Sequence, residues 1–239
     1  MSLKCPYALQ LALMLVLSPA AAMAAETGWT GAGEFGLVMS SGNTDTDNLN
    51  LKLGLKHETD QWFQAYAAQA LRAETDGDTT ANRYDVGARI GYKLTPRSYI
   101  VGSVRYEDDE FSPFEYQATI GLGYGYKFID TPVTQFVGEI GPGYREAKPN
   151  GGGDSEGSVI ARVFGDFKHK LTDSTDIVAT LLVESSSDNT FVQNDLGLQV
   201  KINATFALKA TFQWRHNSDV GPGTEHDDTL LTMNVVYSF

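Results

Sequence analysis

Polar and apolar residues alternate one by one along most of this chain, the pattern of extended strands whose successive side chains point to opposite faces. From Leu49 to Lys56 every odd position is Leu and every even one is polar or Gly. Tyr84, Val86, Ala88, Ile90, Tyr92 and Leu94 alternate with Arg83, Asp85, Gly87, Arg89, Gly91 and Lys93. Tyr116 to Phe128 keeps the rhythm against Glu115, Gln117, Thr119, three glycines and Lys127, and Leu196–Ile202 and Phe206–Trp214 repeat it. No helical period fits these segments. Followed through the weaker stretches, the alternation predicts twelve strands, near 29–40, 48–57, 61–72, 82–94, 98–107, 114–128, 134–146, 157–169, 176–185, 191–203, 205–216 and 229–239.

The connections differ in kind. Short turns at 58–60, 95–97, 130–132, 172–174 and 203–204 alternate with longer loops at 41–47, 73–81, 108–113, 147–156, 186–190 and 217–228. An even strand number with short turns at one end and longer loops at the other predicts an all-β, 12-stranded antiparallel up-and-down transmembrane β-barrel, with both termini on the short-turn side. Loops that recur every few tens of residues also suit a solenoid or propeller, but no sequence motif repeats with them. Without a linker or a composition break, residues 26–239 read as one barrel domain.

Both ends agree with passage to an outer membrane. Residues 1–25 have the form of a secretory signal peptide: Lys4, an apolar stretch from Tyr7 to Leu17, and the small-residue site Ala22-Met23-Ala24. A retained N-terminal anchor is the alternative. Cys5, the only cysteine, lies inside this segment, so a mature chain has no disulfide or cysteine-metal chemistry. At the other end Val235, Tyr237 and Phe239 share one strand face and finish on an aromatic carboxyl terminus. This resembles the C-terminal assembly signal that bacterial outer-membrane barrels present to the barrel-assembly machinery.

Charge narrows the partners. A mature chain without Lys4 carries 17 basic residues against 30 acidic ones, a net charge of about −13 that argues against nucleic acid. The 24 glycines and 26 aromatic residues suit short strands and tight turns. Alternation alone also fits a soluble periplasmic β-protein, since a sandwich or lipocalin-like barrel has one apolar face too. Aromatic placement favours the membrane. Trp62, Phe63, Tyr92, Tyr99, Tyr126, Phe128, Phe206, Tyr237 and Phe239 sit beside the short turns, and Tyr84, Tyr106, Phe111, Phe114, Tyr116, Tyr144, Phe191, Phe212 and Trp214 beside the long loops, as two interfacial girdles would.

The charged residues fall on the other face. Lys52, Lys56, Arg83, Arg89, Lys93, Arg105, Lys127, Arg145, Arg162, Lys168, Lys201, Lys209 and Arg215 share polar-face parity with Glu34, Asp85, Glu107, Glu115, Glu139, Asp166, Glu184 and Asp195. A Lys or Arg facing lipid at mid-depth costs about 2–4 kcal/mol, so a membrane barrel turns this face inward and gains a crowded, net basic lumen. Many acidic residues, including Asp76, Asp78, Asp108-Asp109-Glu110, Glu225, Asp227 and Asp228, fall in the long loops. They are either solvated or share divalent cations with anionic lipopolysaccharide. No loop has the spacing of a dedicated metal site, and no cofactor fingerprint occurs.

From Ser40-Ser41-Gly42-Asn43-Thr44-Asp45-Thr46-Asp47 into Leu49–Leu55, and again through Asn217-Ser218-Asp219, Pro222, Gly223 and Asp228 to the final Val236-Tyr237-Ser238-Phe239, the chain resembles the salt-induced outer-membrane protein family. That is a family of bacterial barrels without an assigned biochemical function. The resemblance implies an envelope protein of a Gram-negative bacterium linked to osmotic adaptation. One cluster suggests chemistry instead. His216 and Ser218, with Glu225 nearby, have the residue types and strand-end position of outer-membrane lipid deacylases and phospholipases, in which a His deprotonates a hydroxyl and a carboxylate orients the His. Against this, Asp219 stands where the phospholipase-like pattern has Asn, and no oxyanion donor is evident. The expectation is therefore a non-enzymatic outer-membrane barrel without cofactor or metal, acting as a structural component or as a narrow channel whose basic lumen favours small anions.

Overall fold

The computed structural model describes residues 28–40, 46–150, 152–221 and 223–239. The expected signal peptide, residues 41–45 of the family-like stretch, and Pro222 lie outside them. The chain forms β1 (Trp29–Ser40), β2 (Thr46–Glu58), β3 (Trp62–Thr75), β4 (Asp78–Lys93), β5 (Ser98–Asp109), β6 (Phe114–Asp130), β7 (Thr134–Pro149), β8 (Glu156–Lys170), β9 (Thr175–Ser185), β10 (Thr190–Lys201), β11 (Phe206–Asn217) and β12 (Asp227–Ser238). Each strand pairs antiparallel with its sequence neighbours, and β1 pairs with β12 to close the barrel. The twelve-stranded, up-and-down architecture is as the alternation predicts. The closing pair is short, joining Ala32–Phe35 to Val235–Ser238, while every other neighbouring pair is hydrogen-bonded along most of its length, as crossing hydrocarbon with strands demands.

The seam is made at the chain ends. Gly31 N–H donates to Phe239 O at 2.8 Å and Phe239 N–H to Gly31 O at 3.0 Å. A Cβ on Gly31 would stand 2.6 Å from the Phe239 ring, so glycine there is what lets the last aromatic ring lie against β1. Tyr237 packs beside this ring and beside Phe206, at centroid distances of 5.9 and 5.4 Å.

Two expectations about the ends of the barrel change. The loop expected over 73–81 is a two-residue hairpin turn, Asp76-Gly77, with φ of 53° and 87°. That is the primed turn geometry whose twist matches the flanking strands. β5 runs on to Asp109 and β7 to Pro149, beyond the alternation of apolar residues, because strands continuing past an apolar band need no apolar face. The outer connections are consequently shorter than predicted, with 218–226 the longest of them.

The faces sort as charge parity requires. Leu51, Val86, Ile90, Val104, Ile120, Leu122, Ile140, Leu196 and Leu208 are exposed on the outside, while inward Glu184, Gln117, Gln213 and Glu107 are buried. The aromatic girdles are thinner than predicted, because Phe63, Tyr99 and Phe191 are buried inside the barrel. Phe63 and Tyr99 lie over the inward glycines opposite them, Gly91 and Gly125, where a Cβ would come within 2.0 and 2.2 Å of the respective rings. An inward glycine thus supplies the room that an inward ring fills.

Candidate functional site

The inner wall carries its charges at two levels. Through the middle and outer lumen the cations are arginines, and they reach across the barrel. Arg105 on β5 donates to Glu184 on β9 at 2.8 Å and to Glu107 at 3.0 Å, and lies 3.7 Å from Asp85. Arg215 on β11 bonds Asp109 at 2.9 Å and also Glu107, both on β5, six strands around the ring. Arg83 donates to Gln213 at 2.7 Å and stands 4.0 Å from Asp109. Glu139 takes Arg89, Arg162 at 3.5 Å and the Tyr99 hydroxyl at 2.7 Å. The Arg215, Arg105 and Arg83 contacts join distant strands, so side chains rather than loops narrow the lumen at this level.

Aromatic rings hold the arginines apart. The Phe191 centroid lies 5.1 Å from the guanidinium carbons of both Arg105 and Arg215. Phe164 lies 4.2 Å from that of Arg89 and 5.5 Å from that of Arg162. Like charges in a low-dielectric interior repel strongly, and a ring between them offers each a favourable face. Arginine suits the role because a planar guanidinium can stack and bond carboxylates at once, which an ammonium cannot. Asp109, expected in a loop, belongs to this girdle because β5 is longer than its apolar pattern.

Toward the short turns the inward cations are lysines. Lys209 bonds Glu34 at 2.7 Å, and Asn234 donates to the same carboxylate at 3.1 Å. Lys56 and Lys93 share Glu58 at 2.7 and 2.8 Å, Lys168 and Lys201 share Asp176 at 3.4 and 3.1 Å, and Lys127 pairs Asp130 at 3.6 Å. Lys52 faces inward opposite Glu34. Asp195 accepts from Thr180, Gln193 and Gln213, and Asp166 lies on the inner face of β8. Glu115, expected in the lumen, sits at a register shift in β6, and the broken alternation turns it to Lys148 at the outer rim, 2.6 Å away.

The residues singled out for acyl chemistry have separate partners. His216 Nδ1 lies 2.9 Å from Asp227 Oδ1, which also accepts from Trp214 Nε1 at 3.0 Å. Ser218 Oγ instead accepts the Thr190 N–H at 2.8 Å and donates to Asn189 Oδ1 at 3.3 Å, holding the outer ends of β10 and β11 together. Glu225 is exposed in the connection 218–226, and the carboxylate on His216 is Asp227, its register partner on β12. Among the described residues no cluster of His, Cys, Asp and Glu is arranged to hold a metal.

Comparison with known proteins agrees with the barrel. The model of a family described as "Protein of unknown function, DUF481" matches residues 33–239. The uncharacterized protein YdiY of Escherichia coli K12 is 26% identical over 209 residues, covering 85% of this chain and 80% of YdiY. Among solved structures, a NanC porin superposes with a TM-score of 0.54 at 12% identity, over 88% of this chain and 98% of that one. An outer membrane channel from Pseudomonas putida F1 gives 0.50 at 11% identity, over 88% of this chain and 95% of the other. At these identities the structural likeness is one of fold, and that fold is the outer-membrane barrel.

Proposed function

This chain belongs to the DUF481 family of proteins of unknown function, and on that premise we propose that it is a small-bore outer-membrane channel for small anions, constricted by the arginine girdle. The observation that carries the proposal is the composition of the girdle. Arg83, Arg89, Arg105, Arg145, Arg162 and Arg215 face inward, while the carboxylates within 4 Å of an arginine there are those of Asp85, Glu107, Asp109, Glu139 and Glu184. A permeating ion exchanges hydration for the donors that line its path, and guanidinium N–H groups lining a narrow polar lumen favour anions. The fold shared with a porin and an outer-membrane channel supports the same reading.

The rest of the proposal concerns the envelope. Residues 1–25 direct export across the inner membrane of a Gram-negative cell, and Val235, Tyr237 and Phe239 present the last strand to the assembly machinery. Acidic residues at the outer end share divalent cations with lipopolysaccharide, and passage of small anions serves osmotic adaptation. No catalytic step is included, because His216 and Ser218 are committed to different partners.

Planar-bilayer recording under a potassium chloride gradient tests the channel. The expected result is a small conductance with a reversal potential toward the anion side. Absence of current from folded, inserted protein, or cation selectivity, would overturn it.

A further inference from the structure

We infer that Arg145 and Gln117 form a binding site for one small monovalent anion of halide size, just inside the outer mouth. The inference does not depend on conduction. Each of the other five girdle arginines has a carboxylate within 4 Å, and Arg145 has none among the described residues. Arg145 is nonetheless only 3% exposed. Burying a cation without a counter-charge is costly, so this position calls for an anion that the chain itself does not supply. The nearby Glu184 is already engaged by Arg105 at 2.8 Å, by the Thr119 hydroxyl at 3.4 Å and, more distantly, by Arg162 at 3.8 Å.

The donors left over define the ligand. Arg145 Nη2 is used twice, by Ser186 Oγ and by Asn189 O, each at 3.2 Å, while Nε and Nη1 are buried and unpartnered. Both two-point edges of a guanidinium include Nη2, so neither is free to clasp a carboxylate or phosphate in the bidentate manner. Nε–H and Nη1–H diverge in the guanidinium plane, so what remains is a single-point N–H donor that a small spherical anion accepts. Gln117 supplies more: it lies on β6 diagonally across from Arg145, whose direct partner is Thr119, it is 1% exposed, and neither atom of its amide is bonded. Phe114, its ring centroid 5.9 Å from the Arg145 guanidinium carbon, and the β9–β10 turn at Ser186 and Asn189 cover the site.

The test compares unfolding of the full-length barrel in detergent, in sodium bromide and in sodium gluconate of equal ionic strength, since the gluconate carboxylate needs the two-point edge that Nη2 no longer offers. Bromide should raise the unfolding midpoint of the native protein, and Arg145→Gln should lose that rise. Gln117→Glu should raise the midpoint in gluconate and show no further response to bromide, because it tethers the missing carboxylate beside Arg145. Should Arg145→Gln fail to fold, Gln117→Glu decides alone. Arg72→Gln, altering an outward-facing rim pair with Glu74, should keep the full bromide response. Equal midpoints for the native protein in the two salts, or a bromide response that persists in Gln117→Glu, would overturn the site.

Discussion

In the middle and outer lumen arginines predominate, and several of them, Arg83, Arg105 and Arg215, reach partners on distant strands, whereas the paired lysines toward the short turns have partners on the same strand or one or two strands away. Arg215 on β11 reaches Asp109 on β5, half the barrel away, and its side chain is 3% exposed. Lys56 pairs with Glu58 two residues along β2, with side chains 56% and 37% exposed. Distance from water accounts for the difference. A buried guanidinium needs several fixed acceptors and a ring to rest on, and it finds them across the lumen. A lysine at the rim needs one carboxylate and keeps water for the rest. The barrel is therefore held together along two axes, around its wall by backbone pairing and through its interior by charge.

The most severe way to break the contrast is to remove a carboxylate that several arginines share. Glu184→Leu should cost about 3–5 kcal/mol, since it leaves Arg105 short of its cross-lumen partner inside a buried network. Urea unfolding in detergent would measure it. A cost below about 1 kcal/mol would mean that the girdle is hydrated like the rim.

Placing an arginine on the outer face sharpens the comparison from outside. Ile140 follows Glu139 on β7 and is 64% exposed on the outer face. Ile140→Arg should destabilise the membrane-inserted barrel by about 2–4 kcal/mol, the cost of a lipid-facing cation near mid-depth. The measurement belongs in lipid vesicles, and a neutral outcome would place that face in water.

Much of this was legible in the chain. One-residue alternation in Tyr84–Leu94 and Glu115–Phe128 shows which side chains share a face, and the cost of charge in hydrocarbon shows which face is inside. The girdle's pairs were not legible, because alternation gives no register across the lumen and Arg215 meets residues more than a hundred positions away. Phe63, Tyr99 and Phe191 were misplaced because an aromatic near a strand end suits an interface and a lumen equally. A signal existed in their parity: Tyr99 and Phe191 keep step with Arg105 and Asp195, and Gly91 and Gly125 mark where inward rings have room. Asp109 was missed since the apolar rhythm of β5 fades before the strand ends, and Glu115 because a bulge is invisible to a count by twos.

The mildest change probes the lysine end. Lys168 bonds Asp176 at 3.4 Å with its side chain 47% exposed, while Lys201 holds the same carboxylate at 3.1 Å. Lys168→Ala leaves Asp176 paired and exposes no buried charge, so its cost should stay within about 1 kcal/mol, as for exposed ion pairs in general. Screening should shrink even that. At molar salt the Debye length falls to about 3 Å, and the variant and native midpoints should converge, while the cost of Glu184→Leu, buried beyond the reach of counterions, should persist. A salt-insensitive loss at Lys168 comparable to that at Glu184 would mean the short-turn end is as dry as the girdle, and the division of the lumen between arginine and lysine would lose its physical basis.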